Sequence, residues 1–184
     1  MENPPIIKPP VRRTGTKSYI LFLLAAFGVL LLVAWFIRPK PPKESELLQN
    51  FHAHRTAYEH LRDMLQADAQ IERLADWGVA TTNAGPRVPP AGDFPVERYR
   101  DYMRLLKEVG GLAASRSEGE HADPSILVWA WGWAGKTRHI GICWLEQAPT
   151  NQIAALDGYR SRRYPERVVA YRHIDGNWYL WTDL

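Results

Sequence analysis

Cysteine is almost absent from this sequence, since Cys143 is the single cysteine among 184 residues. One thiol excludes an intramolecular disulfide framework and any metal cluster of the CxxC type. Disorder throughout the chain and a fibrous composition are also excluded, because 46% of the residues are hydrophobic and 23% are charged. A chain of this length forms one or two domains.

Excess positive charge is missing from most of the chain, although the formal net charge is +3. Residues 1–43 hold seven basic residues and one acid, a net charge of +6, whereas the remaining 141 residues hold 16 basic and 19 acidic residues, a net charge of −3. A nucleic-acid-binding protein is expected to carry its basic patch on the folded domain. We therefore predict no nucleic-acid partner.

Charge is absent altogether from residues 18–37, a run of twenty mostly apolar residues. As a helix it would be about 30 Å long, which is the thickness of the hydrocarbon core of a bilayer. Tyr19 and Trp35 lie near its ends, where amphipathic rings favour the headgroup boundary. The run is too long for a cleaved signal peptide, and bulky residues occupy the position of a cleavage site. We predict a single-pass signal-anchor helix in the lipid bilayer.

Basic residues flank this run unequally, with four before it and three after it. The positive-inside rule then predicts a cytoplasmic N-terminus and an extracytoplasmic C-terminal domain. Because the run has no ionisable residue, it is typical of an anchor and not of a transport path. Residues 1–17 are predicted to be a disordered basic tail with prolines, residues 38–43 a proline-containing basic linker, and residues 44–184 one soluble domain.

Helical spacing comes first in the domain of residues 44–184. Apolar residues recur at steps of three and four from Leu47 to Leu65, which predicts one amphipathic helix that ends near Ala67. A second short helix is predicted with Asp68 as its N-cap and Gly78 at its end. Residues 79–95 are rich in turn formers and predict an irregular connection, and a third helix is predicted between Pro95 and Gly110.

Strand-like alternation dominates the rest of the domain. Asp175-Gly176 between two such segments is a strong hairpin signal, and a short helix is predicted over residues 151–156. We therefore predict an α+β fold, with two or three helices followed by a mostly antiparallel sheet of four or five strands. The predicted strands are residues 112–116, 126–133, 137–146, 167–174 and 178–182.

Residues 130–137 fit a relaxed phosphate-loop pattern, with alanine in place of the first glycine. Such a loop must open into a helix whose N-terminal amides hold the phosphates. The residues that follow alternate like a strand instead. The pattern therefore predicts a hairpin turn, and we predict no nucleotide partner.

Two groups of residues are candidates for hydrolytic chemistry. Cys143 is a potential nucleophile with His173 as its base, whereas His139 would lie roughly 13 Å away along the same strand, too far for a hydrogen bond. Carboxylates with an imidazole can bind a divalent metal, and a weak candidate cluster consists of Glu118, Glu120, His121 and Asp123. The spacing of this cluster matches no known metal-loop pattern. We predict a core cysteine, a solvated loop, no catalytic residue and no cofactor.

Aromatic residues are concentrated after residue 128. Trp129, Trp131 and Trp133 alternate with small residues, which places all three rings on one face of a predicted strand. They form either a core or an exposed face that binds a protein or an envelope polymer. A later loop contributes candidate binding arginines, namely Arg160, Arg162 and Arg163.

The leading functional hypothesis is therefore a single-pass membrane-anchored protein that displays a non-enzymatic binding domain outside the cytoplasm. Two alternatives stay open. The first is a membrane-anchored hydrolase that uses the loop of residues 118–123 or the pair of Cys143 and His173. The second is an accessory subunit of a larger membrane complex.

Overall fold

The computed structural model describes residues 19–20, 22–29, 40–82, 84–87, 94–116, 123–133, 136–159 and 169–183. The chain divides into two compact units, Met1–Lys40 and Pro41–Leu184. In the first unit, residues 19–20 and 22–29 are helical, and Tyr19 is exposed. None of the helices in the described ranges combines the length and the apolar character needed to cross a bilayer. Trp35 lies outside these ranges, and the membrane helix stays a prediction.

The second unit contains three helices and eight strands in its described part. The helices are α1 (Glu44–Ala53), α2 (Arg55–Ala67) and α3 (Val96–Val109). The strands are β1 (Ile71–Ala75), β2 (Gly78–Thr81), β3 (Ala84–Arg87), β4 (Ala113–Arg116), β5 (Pro124–Trp133), β6 (Lys136–Trp144), β7 (Ala170–Asp175) and β8 (Trp178–Thr182).

These strands form one antiparallel sheet in the order β3-β2-β1-β4-β5-β6-β8-β7. The predicted α+β class is confirmed. The prediction of four or five strands was wrong, because β1, β2 and β3 come between α2 and α3 and extend the sheet on one side. Strand β8 pairs with β6, so β7 is the outer strand at the other side.

The helix predicted between Asp68 and Gly78 was wrong, since Ile71–Ala75 and Gly78–Thr81 form the hairpin of β1 and β2. A register shift between Ile71 and Arg73 breaks the simple alternation of β1. As a result Ile71 and Leu74, which are three residues apart, are both buried, and this spacing resembles that of a helix.

Asp68 caps the C-terminus of α2, not the N-terminus of a further helix. Its carboxylate accepts hydrogen bonds from Arg98 Nε at 2.8 Å and from the Tyr102 hydroxyl at 3.0 Å.

Two other local predictions also needed correction. The first helical stripe is interrupted at His54, so α1 and α2 are separate helices, although α2 ends at Ala67 as predicted. No helix forms over residues 151–156, where Gln152 instead makes an isolated parallel bridge to Tyr171 of β7. The Glu44 carboxylate accepts hydrogen bonds from the Leu156 amide at 2.5 Å and from Arg172 Nε at 3.1 Å. The Leu156 amide is thus hydrogen-bonded to a side chain and not to a backbone carbonyl of a helix.

The helix and turn signals with strong local chemistry were confirmed. Pro95 precedes α3, and Gly110 ends it in the left-handed conformation at φ 68°. Strands β5 and β6 form a hairpin, and β7 and β8 form another around Gly176, whose φ is 54°. The irregular connection predicted over residues 79–95 contains β3 and most of β2, so that prediction was wrong for residues 79–81 and 84–87.

All three helices pack on one face of the sheet. A row of fully buried side chains crosses five neighbouring strands under them, and consists of Leu74, Ala114, Ile126, Ile142 and Leu180. Rings complete this core at the β8 side, where Trp178 lies 5.4 Å from Phe51 of α1 and 6.1 Å from Tyr58 of α2 between ring centroids.

Candidate functional site

The face of the sheet opposite the helices is formed by two cross-strand rows, which we call the open sheet face. One row consists of Ala75, Ala113, Leu127, Gly141, Trp181 and Tyr171, and the other of Arg73, Ser115, Ser125, Cys143, Tyr179 and His173. Three of these residues form a small buried apolar cluster with Trp181 packed against it, and this cluster includes no helical residue. Within the described ranges, this face thus has a small buried apolar cluster that is separate from the core under the helices.

Trp181 lies across the centre of the open sheet face. Its indole N–H donates a hydrogen bond to Ser125 Oγ at 2.9 Å, two strands away from β8. The ring passes over Gly141, where an added Cβ would stand 2.3 Å from Trp181 Nε1. Only a glycine at this position lets the ring lie this close to the backbone of β6.

Further rings extend this arrangement towards β7. His173 lies 5.2 Å from Tyr179 and Tyr171 lies 6.5 Å from Tyr179, measured between ring centroids. Tyr179 is buried, Tyr171 and Trp181 are half-buried, and His173 is exposed. The open sheet face therefore offers aromatic and imidazole rings on a rigid sheet, a composition that favours binding.

His139 and Asp183 are joined by side-chain and backbone hydrogen bonds next to Trp181. His139 Nδ1 lies 2.7 Å from Asp183 Oδ2, and the His139 backbone N–H donates to Asp183 Oδ1 at 2.5 Å. The Asp183 side chain is only 9% exposed, so the carboxylate holds the imidazole in a fixed orientation. Sequence reasoning considered His139 only beside Cys143, because nothing in the sequence indicates that β8 pairs with β6.

The bulge in β5 decides where the tryptophans lie. Leu127 pairs with Gly141 and Trp129 pairs with Ile140, so β5 has one extra residue between them. Trp129 consequently packs against the helix-side core, on the face opposite to Leu127. Trp131 lies on the same face as Trp129 and is half-buried. Trp133 is the last residue of β5.

Cys143 does not meet His173, its proposed base in the alternative hydrolase hypothesis. Tyr179 stands between Cys143 and His173 in the same cross-strand row, which separates them by two strand spacings, about 9.6 Å. His173 Nε2 instead lies 2.9 Å from the Gly176 carbonyl oxygen. Cys143 is buried, and this burial raises the pKa of its thiol well above the usual range. The geometry brings together no nucleophile and base at this position.

We expect Cys143 to resist alkylation in the folded protein. Because only a thiolate reacts rapidly, burial and the raised pKa should slow iodoacetamide labelling at least about 100-fold between pH 7 and 9 relative to the urea-unfolded chain. The neutral thiol stabilises the folded state fully below the unfolded pKa of about 8.5, and this contribution is lost as the pH rises above it. Mass spectrometry of timed samples measures the rate, and equal labelling of folded and unfolded chains would contradict the prediction.

The predicted metal cluster falls mostly outside the described residues. Glu118, Glu120 and His121 are in that undescribed part, whereas the Asp123 carboxylate accepts a hydrogen bond from the Glu146 amide at 3.3 Å. The candidate arginines Arg160, Arg162 and Arg163 also lie outside the described residues. Within the described ranges, no three histidine, cysteine or acidic residues are grouped so that they could hold a metal ion.

A cavity of about 300 Å³ lies where the open sheet face meets the β1–β2 turn. Its lining includes Arg73, Ala75, Ala113 and Leu127 of that face, together with Trp77 of the turn. Sequence reasoning missed this place, because a helix was predicted between Asp68 and Gly78. No known protein family, curated protein or solved structure matches this chain.

Proposed function

We propose that this chain is a single-pass membrane-anchored protein that displays its α+β domain outside the cytoplasm and binds a protein partner there. In this proposal the partner contacts the open sheet face, and the domain catalyses no reaction. The observation that carries the proposal is the set of rings at Tyr171, His173 and Trp181, which no described helix covers. Aromatic side chains of this kind are enriched at the centres of protein interfaces.

The sequence supports the anchor in this proposal. Residues 18–37 carry no charge and are flanked by basic residues on both sides, which is the pattern of a membrane helix with a cytoplasmic N-terminus. The arginines at 160, 162 and 163 are proposed to add contacts to an acidic part of the partner. A membrane anchor of this kind keeps the domain close to partners that are themselves membrane-bound.

Among the described residues of the open sheet face, the potential nucleophiles do not contact the potential bases, which supports a binding function over hydrolysis. The Ser125 hydroxyl accepts the Trp181 hydrogen bond, Cys143 is buried, and His173 faces the Gly176 carbonyl. A hydrolase that uses a serine or cysteine nucleophile needs a base within hydrogen-bond distance of that nucleophile. The described residues offer rings and apolar surface but no such pair.

We expect a photo-crosslinking amino acid at position 173 of the full chain to trap a discrete protein in native membranes. The same group at Arg104 serves as control, because Arg104 lies on α3 with a side chain that is 61% exposed. Leu24→Arg should abolish the adduct by opposing membrane insertion at a cost of about 2.5–3.5 kcal/mol, and Leu24→Phe should retain it. Gel shifts followed by mass spectrometry identify the adduct.

Several outcomes of this experiment would overturn the proposal. Equal adducts from positions 173 and 104 would show that the open sheet face is not selective. A polysaccharide adduct in place of a protein would assign the surface to an envelope polymer. A C-terminal reporter enzyme that is active only in the cytoplasm would reverse the topology.

A further inference from the structure

The cavity beside the β1–β2 turn combines two exposed apolar side chains with two charges. Trp77 is 40% exposed and Leu112 is 50% exposed, and both line the cavity together with Met103 and Leu127. Large apolar side chains left this exposed at the rim of a concavity mark a binding site better than scattered ones do. The volume of about 300 Å³ is at the lower end of the range for small-molecule sites.

The rim of this cavity is held in place before any ligand binds. The Tyr99 hydroxyl of α3 donates one bifurcated hydrogen bond, to the carbonyl oxygens of Ala75 at 2.9 Å and Asp76 at 3.2 Å. These contacts tie the β1–β2 turn to the helix layer. A pre-formed rim lowers the conformational cost of binding a small molecule.

Arg73 and Asp76 place opposite charges on the same cavity. Arg73 projects from β1 on the open sheet face and Asp76 follows in the turn, so their Cα atoms are at most about 10 Å apart. Both residues are exposed, and neither takes part in an ion pair of the described part of the chain. A ligand with one negative and one positive group would satisfy both of them.

We propose that this cavity binds a free α-amino acid with a large apolar side chain. The ligand carboxylate pairs with Arg73, its ammonium group lies between Asp76 and the face of Trp77, and its side chain packs against Leu112 and Met103. The volume corresponds to about ten water molecules, which suits a molecule of the size of phenylalanine. This site goes beyond the partner-binding proposal and depends neither on the anchor nor on a protein partner.

Calorimetric titration of the purified full chain with L-phenylalanine tests the site. We expect a dissociation constant of the order of 1 mM or tighter, as is usual for so small a ligand. N-acetyl-phenylalanine lacks the ammonium charge and phenylalaninamide lacks the carboxylate, and each should bind at least about tenfold more weakly. Arg73→Gln and Asp76→Asn should each weaken phenylalanine binding by about the same factor.

Matched substitutions on α3 provide the controls. Arg104→Gln and Asp101→Asn remove the same types of charge from exposed helix positions and should leave the titration unchanged. In addition, Arg73→Gln should abolish the preference for phenylalanine over its amide, which a loss of folding would not do selectively. The amino-acid site would be overturned if no binding is seen at a phenylalanine concentration 20-fold above about 1 mM, or if the three compounds bind equally. Either result would leave the crosslinking at position 173 unaffected, so the two proposals fail separately.

Discussion

Trp178→Ala is expected to lower the free energy of unfolding by about 3–5 kcal/mol, the usual cost of truncating a buried large aromatic side chain. Trp178 is 2% exposed and contacts the rings of Phe51 and Tyr58. It therefore joins the sheet to both α1 and α2, and its loss leaves a cavity between the two layers. Natural domains are stable by about 5–15 kcal/mol, so this single change removes a large part of the total.

Urea unfolding of the full chain, followed by far-ultraviolet circular dichroism, measures this effect. Trp77→Ala is the matched control, because Trp77 is 40% exposed and its truncation should cost less than about 1 kcal/mol. Equal losses of stability for the two variants would contradict the packing of Trp178 between the helices and the sheet.

Gly141→Ala is expected to destabilise the domain by about 1–3 kcal/mol, as overpacking of a tight contact does. The added Cβ would stand 2.3 Å from Trp181 Nε1 and 2.7 Å from the Ile126 carbonyl oxygen. The indole would have to leave its place, which breaks the hydrogen bond to Ser125. The same substitution should therefore also rearrange the centre of the open sheet face.

Gly85→Ala is the matched control for this second prediction, since a Cβ at Gly85 meets nothing within 4 Å. The double variant Gly141→Ala/Trp181→Ala should lose less stability than the sum of the two single variants, because the clash with the ring is then absent. Additive losses would show that Trp181 does not lie over Gly141. Urea unfolding of all four variants decides between these outcomes.

The secondary structure elements that depend on local chemistry were predictable from the sequence. Pro95 and Gly110 mark the two ends of α3, and Asp175-Gly176 marks the hairpin of β7 and β8. These signals arise from fixed φ values and from the left-handed conformation that glycine adopts easily. They need no knowledge of distant parts of the chain, and they were confirmed.

Predictions that depended on distant pairing failed or stayed open. A second helix was predicted between Asp68 and Gly78 because Ile71, Leu74 and Ala75 lie off the first apolar stripe, yet β1 exists through its pairing with β2 and β4. The pairing of β8 with β6 likewise brings Asp183 to His139, a contact between residues 44 positions apart. Such contacts depend on which strands become neighbours, and periodicity within one segment does not contain that information.

By itself, the sequence determined the α+β class, the charge separation between residues 1–43 and the rest, and the uncharged run that predicts an anchor. Only the tertiary structure decided which aromatic residues belong to the core and which to the open sheet face. The extra residue at Val128 turns Trp129 towards the helices and leaves Leu127 on the other face with Trp181. A single inserted residue reverses the face of every side chain after it, because side chains alternate along a strand.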